Sequence, residues 1–414
     1  MKRHVLGIGI LVFIGLSVSR GLSSSPQFPI AVWYGPAPSE SLERDLFNIR
    51  SIGFNQCILN AGSPDQNLNA LQVSDSLGLF LFITDNSISR FRSGADTSFQ
   101  AMDSLTQMYK HHSSFAGYLL EDKPGLSMFP KLIPLTEHFA AQKPEVDYFI
   151  QAHPIYASPA RLDTSDYRSY LTRFLQDLKP SFLPVEHLAL MDESIRPEFF
   201  DNLKLLSDLA VEHNTPFWSY VLVVPFGAHP KVTHAHTRVQ VYGGLAYGAR
   251  GVQYYSYRPP SRASGRRGEA LLDEEGDVTE AYIFSRDINQ EIERVAPVLL
   301  NLTPTGVYFS TSNTFGVPEL IPGLPVTKID SPVILTGFFK GPDDRKYVMF
   351  VNTDFNFGKR PAIHFSQHVK KIVEVPKHNM SPLQFNWPEK DGSEKSAYIL
   401  FKAGDGRLFE IIEY

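Results

Sequence analysis

The sequence holds a single cysteine, Cys57, so no internal disulfide can form. It lies in the apolar run Phe54-Asn-Gln-Cys-Ile-Leu59, which reads as a buried, inert thiol. Long basic runs are also missing, and the formal net charge is −5. That excludes the electrostatic footprint of a nucleic-acid-binding protein. No glycine-rich phosphate loop, zinc-protease helix motif or nucleophile-elbow serine stands in a suitable context, so no cofactor and no metal are expected. Neither repeats of about 20 to 50 residues nor low-complexity tracts occur. Beyond the first residues there is no apolar run long enough for a transmembrane helix.

The one marked N-terminal feature is Met1-Lys2-Arg3-His4 followed by the apolar stretch Val5 to Val18, the pattern of a secretory signal peptide. Small residues from Ser17 to Ser25 offer cleavage sites, so residues 1–25 are expected to be removed. The expectation is a secreted or periplasmic protein, with an uncleaved anchor as the alternative. Export without disulfides fits a bacterial envelope better than an animal secretory route.

Between residues 28 and 258 eight short, β-rich apolar runs follow one another: Ile30–Tyr34, Asn55–Asn60, Leu79–Asp85, Ala116–Asp122, Asp147–His153, Phe182–Leu188, Phe217–Val223 and Gly251–Tyr257. Their hydrophobicity is continuous rather than alternating, as strands buried on both faces require. Between them lie segments with helical periodicity or room for it. In Ser39 to Arg50 the apolar positions are Leu42, Leu46 and Ile49; in Glu198 to Glu212 they are Phe199, Leu203, Leu206 and Leu209. Eight strand-helix units predict an α/β fold, a (β/α)8 TIM barrel over residues 26–300. From residue 301 to 414 the pattern changes to short strands broken by turns, among them Val333–Phe339, Tyr347–Asn352, Tyr398–Phe401 and Leu408–Ile412. This predicts a small all-β antiparallel sandwich.

Active sites of such barrels lie at the C-terminal strand ends. The polar residues expected there are Trp33 and Tyr34, Asn60, Asp85, Glu121 and Asp122 with Lys123, His153, Glu186 and His187, Trp218 and Tyr220, and the run Gln253 to Arg258 with Tyr255 and Tyr257. Carboxylates with aromatic rings suit carbohydrate: the carboxylates act at an acetal, and flat rings stack on sugar faces. The alternative for Trp218 is a core position, and about half of Tyr254, Tyr255 and Tyr257 should face outward. His234-Ala-His236 has chelating spacing, but helix capping is the simpler role. Asp192-Glu193 reads as a helix start.

The segment His112-Ser-Ser-Phe-Ala-Gly-Tyr-Leu-Leu-Glu-Asp-Lys-Pro124 resembles the fourth-strand segment of clan A glycoside hydrolases and their relatives, which commonly reads HPALAGYFLxDEP. Pro29–Tyr34, Gly53-Phe-Asn55, the run Arg238 to Tyr255, and Lys402 to Phe409 are similar to further parts of the same group. The resemblance implies a secreted glycoside hydrolase acting on an oligo- or polysaccharide. It also implies an acid/base glutamate before the proline after strand four and a nucleophilic glutamate ending strand seven. Here Lys123 occupies the first position, and strand seven continues Tyr220-Val-Leu-Val-Val-Pro225 without an acid.

The remaining carboxylates are Glu121 or Asp122 as acid and Glu186 as base, the latter in Val185-Glu-His-Leu-Ala-Leu190, which resembles a DHYP element of the same relatives. A pair from non-adjacent strands suits the roughly 6.5 to 9.5 Å separation of an inverting hydrolase. Lys123 then tunes a carboxylate or binds a sugar group, the alternative being a rim ion pair with Asp122. A catalytically inactive carbohydrate-binding barrel is the rival reading. A third is a lyase using Lys123, His153 or a tyrosine as base on a uronic acid.

Overall fold

The computed structural model describes residues 27–414 except 38, 40, 60, 61, 144, 192, 193, 226–230, 260–267, 312 and 390–393. The expected signal peptide, Asn60 and Asp192-Glu193 therefore lie outside the described residues. All eight expected barrel strands form: β1 (Ile30–Trp33), β2 (Gln56–Ile58), β3 (Phe80–Ile83), β4 (Phe115–Asp122), β5 (Asp147–Gln151), β6 (Leu183–Pro184), β7 (Phe217–Leu222) and β8 (Val252–Tyr255). They run parallel in the order β5-β4-β3-β2-β1-β8-β7-β6. The seam between β5 and β6 closes through the Ala152–Val185 bridge, where the Ala152 N–H donates to the Pro184 carbonyl at 2.9 Å. Proline has no N–H to give the ladder, which keeps β6 short.

The helices bury the faces that their periodicity dictates. Leu42, Leu46 and Ile49 are buried on the helix Leu42–Ser51, and Phe199, Leu203, Leu206 and Leu209 on the helix Phe199–Glu212. The helix His234–Ala246 is buried on nearly all sides from Thr237 onward, because it lies between β7 and the C-terminal strands. A helix covered all round needs no polar stripe. Its N-terminus is capped by Thr233, and the His236 ring accepts the Thr233 N–H at 3.2 Å, so His236 serves the helix end.

After the helix Glu280–Leu299 come β9 (Thr303–Phe309), β10 (Val326–Ile329), β11 (Ile334–Lys340), β12 (Lys346–Asn352), β13 (Ala362–Phe365), β14 (Val369–Glu374), β15 (Gln384–Asn386), β16 (Lys395–Tyr398) and β17 (Gly406–Glu413). Six of them form an antiparallel sheet in the order β15-β14-β17-β12-β11-β9, facing the three-stranded sheet β10-β13-β16. Ile334, Phe338, Val348, Phe350 and Phe409 fill the space between the sheets, while Leu335, Phe339, Met349, Val351 and Leu408 join the barrel's core. The larger sheet is thus apolar on both faces. The expected strand Tyr398–Phe401 is displaced to Lys395–Tyr398: pairing stops opposite Pro361, which lacks an N–H, and resumes only as the Lys359–Phe401 bridge.

Gly337 and Gly404 lie where the sandwich meets the helix His234–Ala246. A Cβ on Gly337 would stand 2.4 Å from the Ala246 carbonyl oxygen, and one on Gly404 2.2 Å from that of Ala235. The same interface holds a buried ionic cluster. Arg238 donates to Glu291 at 2.6 Å; Lys377 lies 3.2 Å from Glu291, 3.1 Å from the Tyr242 hydroxyl and against Asp405.

Candidate active site

Strand pairing fixes which side chains face the barrel interior. Ala31, Trp33, Ile58, Phe82, Phe149, Phe182, Trp218 and Tyr220 form one interior cluster. Neighbours in parallel register share a face, so Gln253, paired with both Ala31 and Tyr220, faces inward, as does Tyr255, paired with Trp33. Asp122 pairs with Gln151 beyond a register shift between Leu119 and Glu121. That irregularity places Asp122 toward the mouth.

The chain turns sharply after β1 and after β4, at Tyr34 (φ 55°) and Lys123 (φ 58°). The left-handed region costs a non-glycine residue about 1–2 kcal/mol, so surrounding contacts must hold it. The Lys123 N–H donates to the Gln151 carbonyl at 2.8 Å. The Lys123 ammonium then lies 2.7 Å from Glu186 Oε2 and 3.2 Å from Asp122 Oδ2. The Tyr34 hydroxyl donates to the same Asp122 oxygen at 3.3 Å. One ammonium touches both carboxylates, so the two oxygens that it contacts are no more than about 6 Å apart.

Burial opposes the charge on Lys123, but Glu186 and Asp122 outweigh it and hold its pKa above the ordinary lysine range. Glu186 is itself raised, because burial counts for more than the attraction of Lys123. His153, just beyond β5, is pushed down to about 4 by burial and by the charges of Lys123 and Arg161. Tyr255 is pushed up to about 12, chiefly by burial; Tyr34 and Tyr220 are raised for the same first reason. A lysine or tyrosine serves as a base only when its pKa is depressed, so these shifts oppose Lys123 and the tyrosines as the base of the lyase reading.

Tyr34, Tyr255 and Tyr220 continue the wall beside the carboxylates. Tyr34 meets Tyr255 edge-on at 5.7 Å between ring centroids, and Tyr255 stacks with Tyr220 at 6.0 Å. Trp33 lies under Tyr34 and stacks on Phe149 at 5.2 Å. Several buried polar atoms of this wall have no hydrogen-bond partner among the described residues: Trp33 Nε1, Asp122 Oδ1, the amide atoms of Gln151 and Gln253, His153 Nδ1 and the Tyr220 hydroxyl. Each such atom costs about 1–3 kcal/mol, and folded proteins keep few of them.

Five expected site residues are used elsewhere. Glu121 pairs with Arg92 on the helix Asn86–Ser93 and accepts the Asp122 N–H at 3.0 Å, so it braces the strand end. Asp85 caps that helix, accepting from Ser87 N at 2.8 Å, and takes the Tyr109 hydroxyl at 2.9 Å. His187 packs against Tyr156 and the helix residue Phe199. Trp218 stacks on Phe182 at 4.1 Å near the start of β7, at the opposite end of the barrel interior from the mouth. The Tyr257 hydroxyl donates to Asp45 at 3.0 Å on the helix Leu42–Ser51. The site residue that the sequence reading passed over is Gln151; the available signal was pleat, since it lies two residues beyond the inward-facing Phe149 and pairs with Asp122.

Among the described residues no group of three or more His, Cys, Asp or Glu side chains is arranged to hold a metal ion, and no helix is long and apolar enough to cross a membrane.

A barrel of eight parallel strands with an antiparallel sandwich behind it is an architecture found among glycoside hydrolases. No protein-family model matches the sequence, and no curated protein sequence matches it. Among solved structures it is similar to the GH27 β-L-arabinopyranosidase of Geobacillus stearothermophilus, with a TM-score of 0.52 and 10% identity over 94% of this chain and 96% of that one. An alanine variant of that enzyme in complex with arabinose gives a TM-score of 0.52 and 11% identity, over 95% and 98% of the two chains. At such identity the likeness is one of fold.

Proposed function

We propose that this protein is an exported glycoside hydrolase acting on an oligo- or polysaccharide, with Glu186 as proton donor and Asp122 as nucleophile. The observation that carries the reading is the carboxylate pair held by one ammonium at the mouth of a polar, aromatic-walled barrel. A buried glutamate with a raised pKa keeps its proton to higher pH, as a general acid must. Glu186 gives its proton to the glycosidic oxygen as that oxygen leaves the anomeric carbon, while an Asp122 oxygen bonds to the same carbon. Water then attacks that carbon, gives a proton to Glu186 and releases Asp122. Two displacements retain configuration. Lys123 keeps the two groups in place.

The basic start of the chain followed by Val5–Val18 supports export. One observation favours a second reading, a carbohydrate-binding barrel without catalysis: Lys123 engages both carboxylates at once. Incubation of the purified protein with a panel of plant, algal and host glycans separates the two. Reducing ends released by the wild type but not by Asp122→Asn support the hydrolase; a thermal shift by a glycan that is never cleaved supports the binding barrel.

A further inference from the structure

Tyr220 is 2% exposed, and its hydroxyl has no hydrogen-bond partner among the described residues. Its strand neighbour Gln253 is fully buried, with both amide atoms equally unpartnered. Both face the interior of the barrel, as does Tyr255, whose ring stacks on that of Tyr220 and stands edge-on to the Tyr34 ring that reaches Asp122. Glu186 is the charge that acts most strongly on the Tyr220 hydroxyl after burial itself. Interior positions of small barrels are ordinarily filled by apolar side chains, which leave nothing unpaired. A phenylalanine at 220 and a leucine at 253 would pack the same space without that cost.

We infer that Tyr220 and Gln253 are substrate-positioning residues: the Tyr220 hydroxyl and the Gln253 amide hydrogen-bond the hydroxyl groups of the sugar unit that sits against Asp122 and Glu186. This rests on the carbohydrate reading above and names the part of the wall that grips the ligand. A sugar supplies donors and acceptors on adjacent carbons, which matches a hydroxyl beside an amide. A group left unpaired in the free protein and satisfied by ligand trades stability for binding.

That trade gives a two-part test on the full chain. Wild type, Tyr220→Phe and Gln253→Leu are melted without ligand. They are then assayed with the 4-nitrophenyl glycosides of arabinose, galactose, glucose, xylose, mannose and glucuronic acid in both anomers, and the free sugars are tested for thermal shift. The expected result is that both variants melt at or above the wild-type temperature. On whichever glycoside the wild type cleaves, Tyr220→Phe loses at least about tenfold in kcat/KM; on a sugar that is bound but not released, its thermal shift disappears. A lower melting temperature for Tyr220→Phe would mark the hydroxyl as structural and overturn the inference, as would unchanged turnover and binding. Where the wild type acts only on a longer glycan, the same losses are read on that glycan; a wild type that neither cleaves nor binds any of these sugars or the glycans above overturns the carbohydrate reading, and this inference with it.

Discussion

Lys123 and Glu186, 63 residues apart in the chain, meet at 2.7 Å, and the same ammonium reaches Asp122 at 3.2 Å. The second contact joins sequence neighbours; the first does not follow from the sequence. The first depends on a left-handed turn that brings the lysine back over its own strand end toward the far side of the barrel seam.

If the carboxylates do the chemistry, Asp122→Asn and Glu186→Gln each lower kcat by at least about a hundredfold on the glycan that the wild type cleaves, with the melting temperature nearly unchanged. Steady-state rates and thermal melts of the two variants check this. Loss of folding with activity per folded molecule preserved would make the residue structural.

Lys123 lowers the Glu186 pKa against the larger effect of burial. Removing the ammonium in Lys123→Met therefore raises that pKa further. A general acid works while protonated, so the basic limb of the kcat/KM profile moves to higher pH in the variant. A basic limb that stays in place, measured across a pH series, would mean that Glu186 is not the proton donor.

His153 titrates near 4 in the folded protein, below the ordinary histidine value of 6.5. A depressed pKa gives stability that is present above the unfolded value and lost as pH falls through the folded one, because the unfolded chain takes up the proton first. The melting temperature of the wild type should therefore decline between pH 6.5 and about 4. His153→Gln should decline less over that window, as read by a pH series of thermal melts.

Glu291 is held below the usual carboxylate range although burial opposes it, because Lys377 and Arg238 lie against it. Glu291→Gln keeps the shape and removes the charge, leaving the two cations with less compensation. The expected loss is about 3–5 kcal/mol of unfolding free energy by denaturant titration, the usual cost of breaking a buried pair from one side. A loss below about 1 kcal/mol would place the cluster among exposed pairs in energetic terms.

Much of the barrel was legible in the sequence because strands buried on both faces must be continuously apolar, and Phe217–Leu222 or Phe80–Ile83 have no other reading at that length. The helix faces were legible for the same kind of reason. Which way a strand residue points was not. His187 and Glu186 are adjacent, yet one packs against Phe199 and the other reaches Lys123, and the register shift between Leu119 and Glu121 changes the count on β4. Trp218 and Tyr220 share a face but sit at different depths, and depth depends on where each strand begins. Asp85 was misread because its partners, Ser87 and Tyr109, make a helix cap look like a strand-end acid. Asp122, Lys123 and Glu186, which meet in the structure, could be singled out because they stand at or near the ends of the apolar runs Ala116–Asp122 and Phe182–Leu188.

The helix His234–Ala246 meets backbone, not side chains, at Gly337 and Gly404, and presents Arg238 to Glu291 in a cluster that Lys377 and Asp405 complete. Cut away the sandwich, and the barrel would expose a helix face shaped for bare backbone together with an ion cluster short of two members. The sandwich is therefore not a portable attachment. Any recombination that exchanged it for another small β domain would have to bring glycine at the same two positions and charges of the same sign, so barrel and sandwich are constrained to be inherited as a pair.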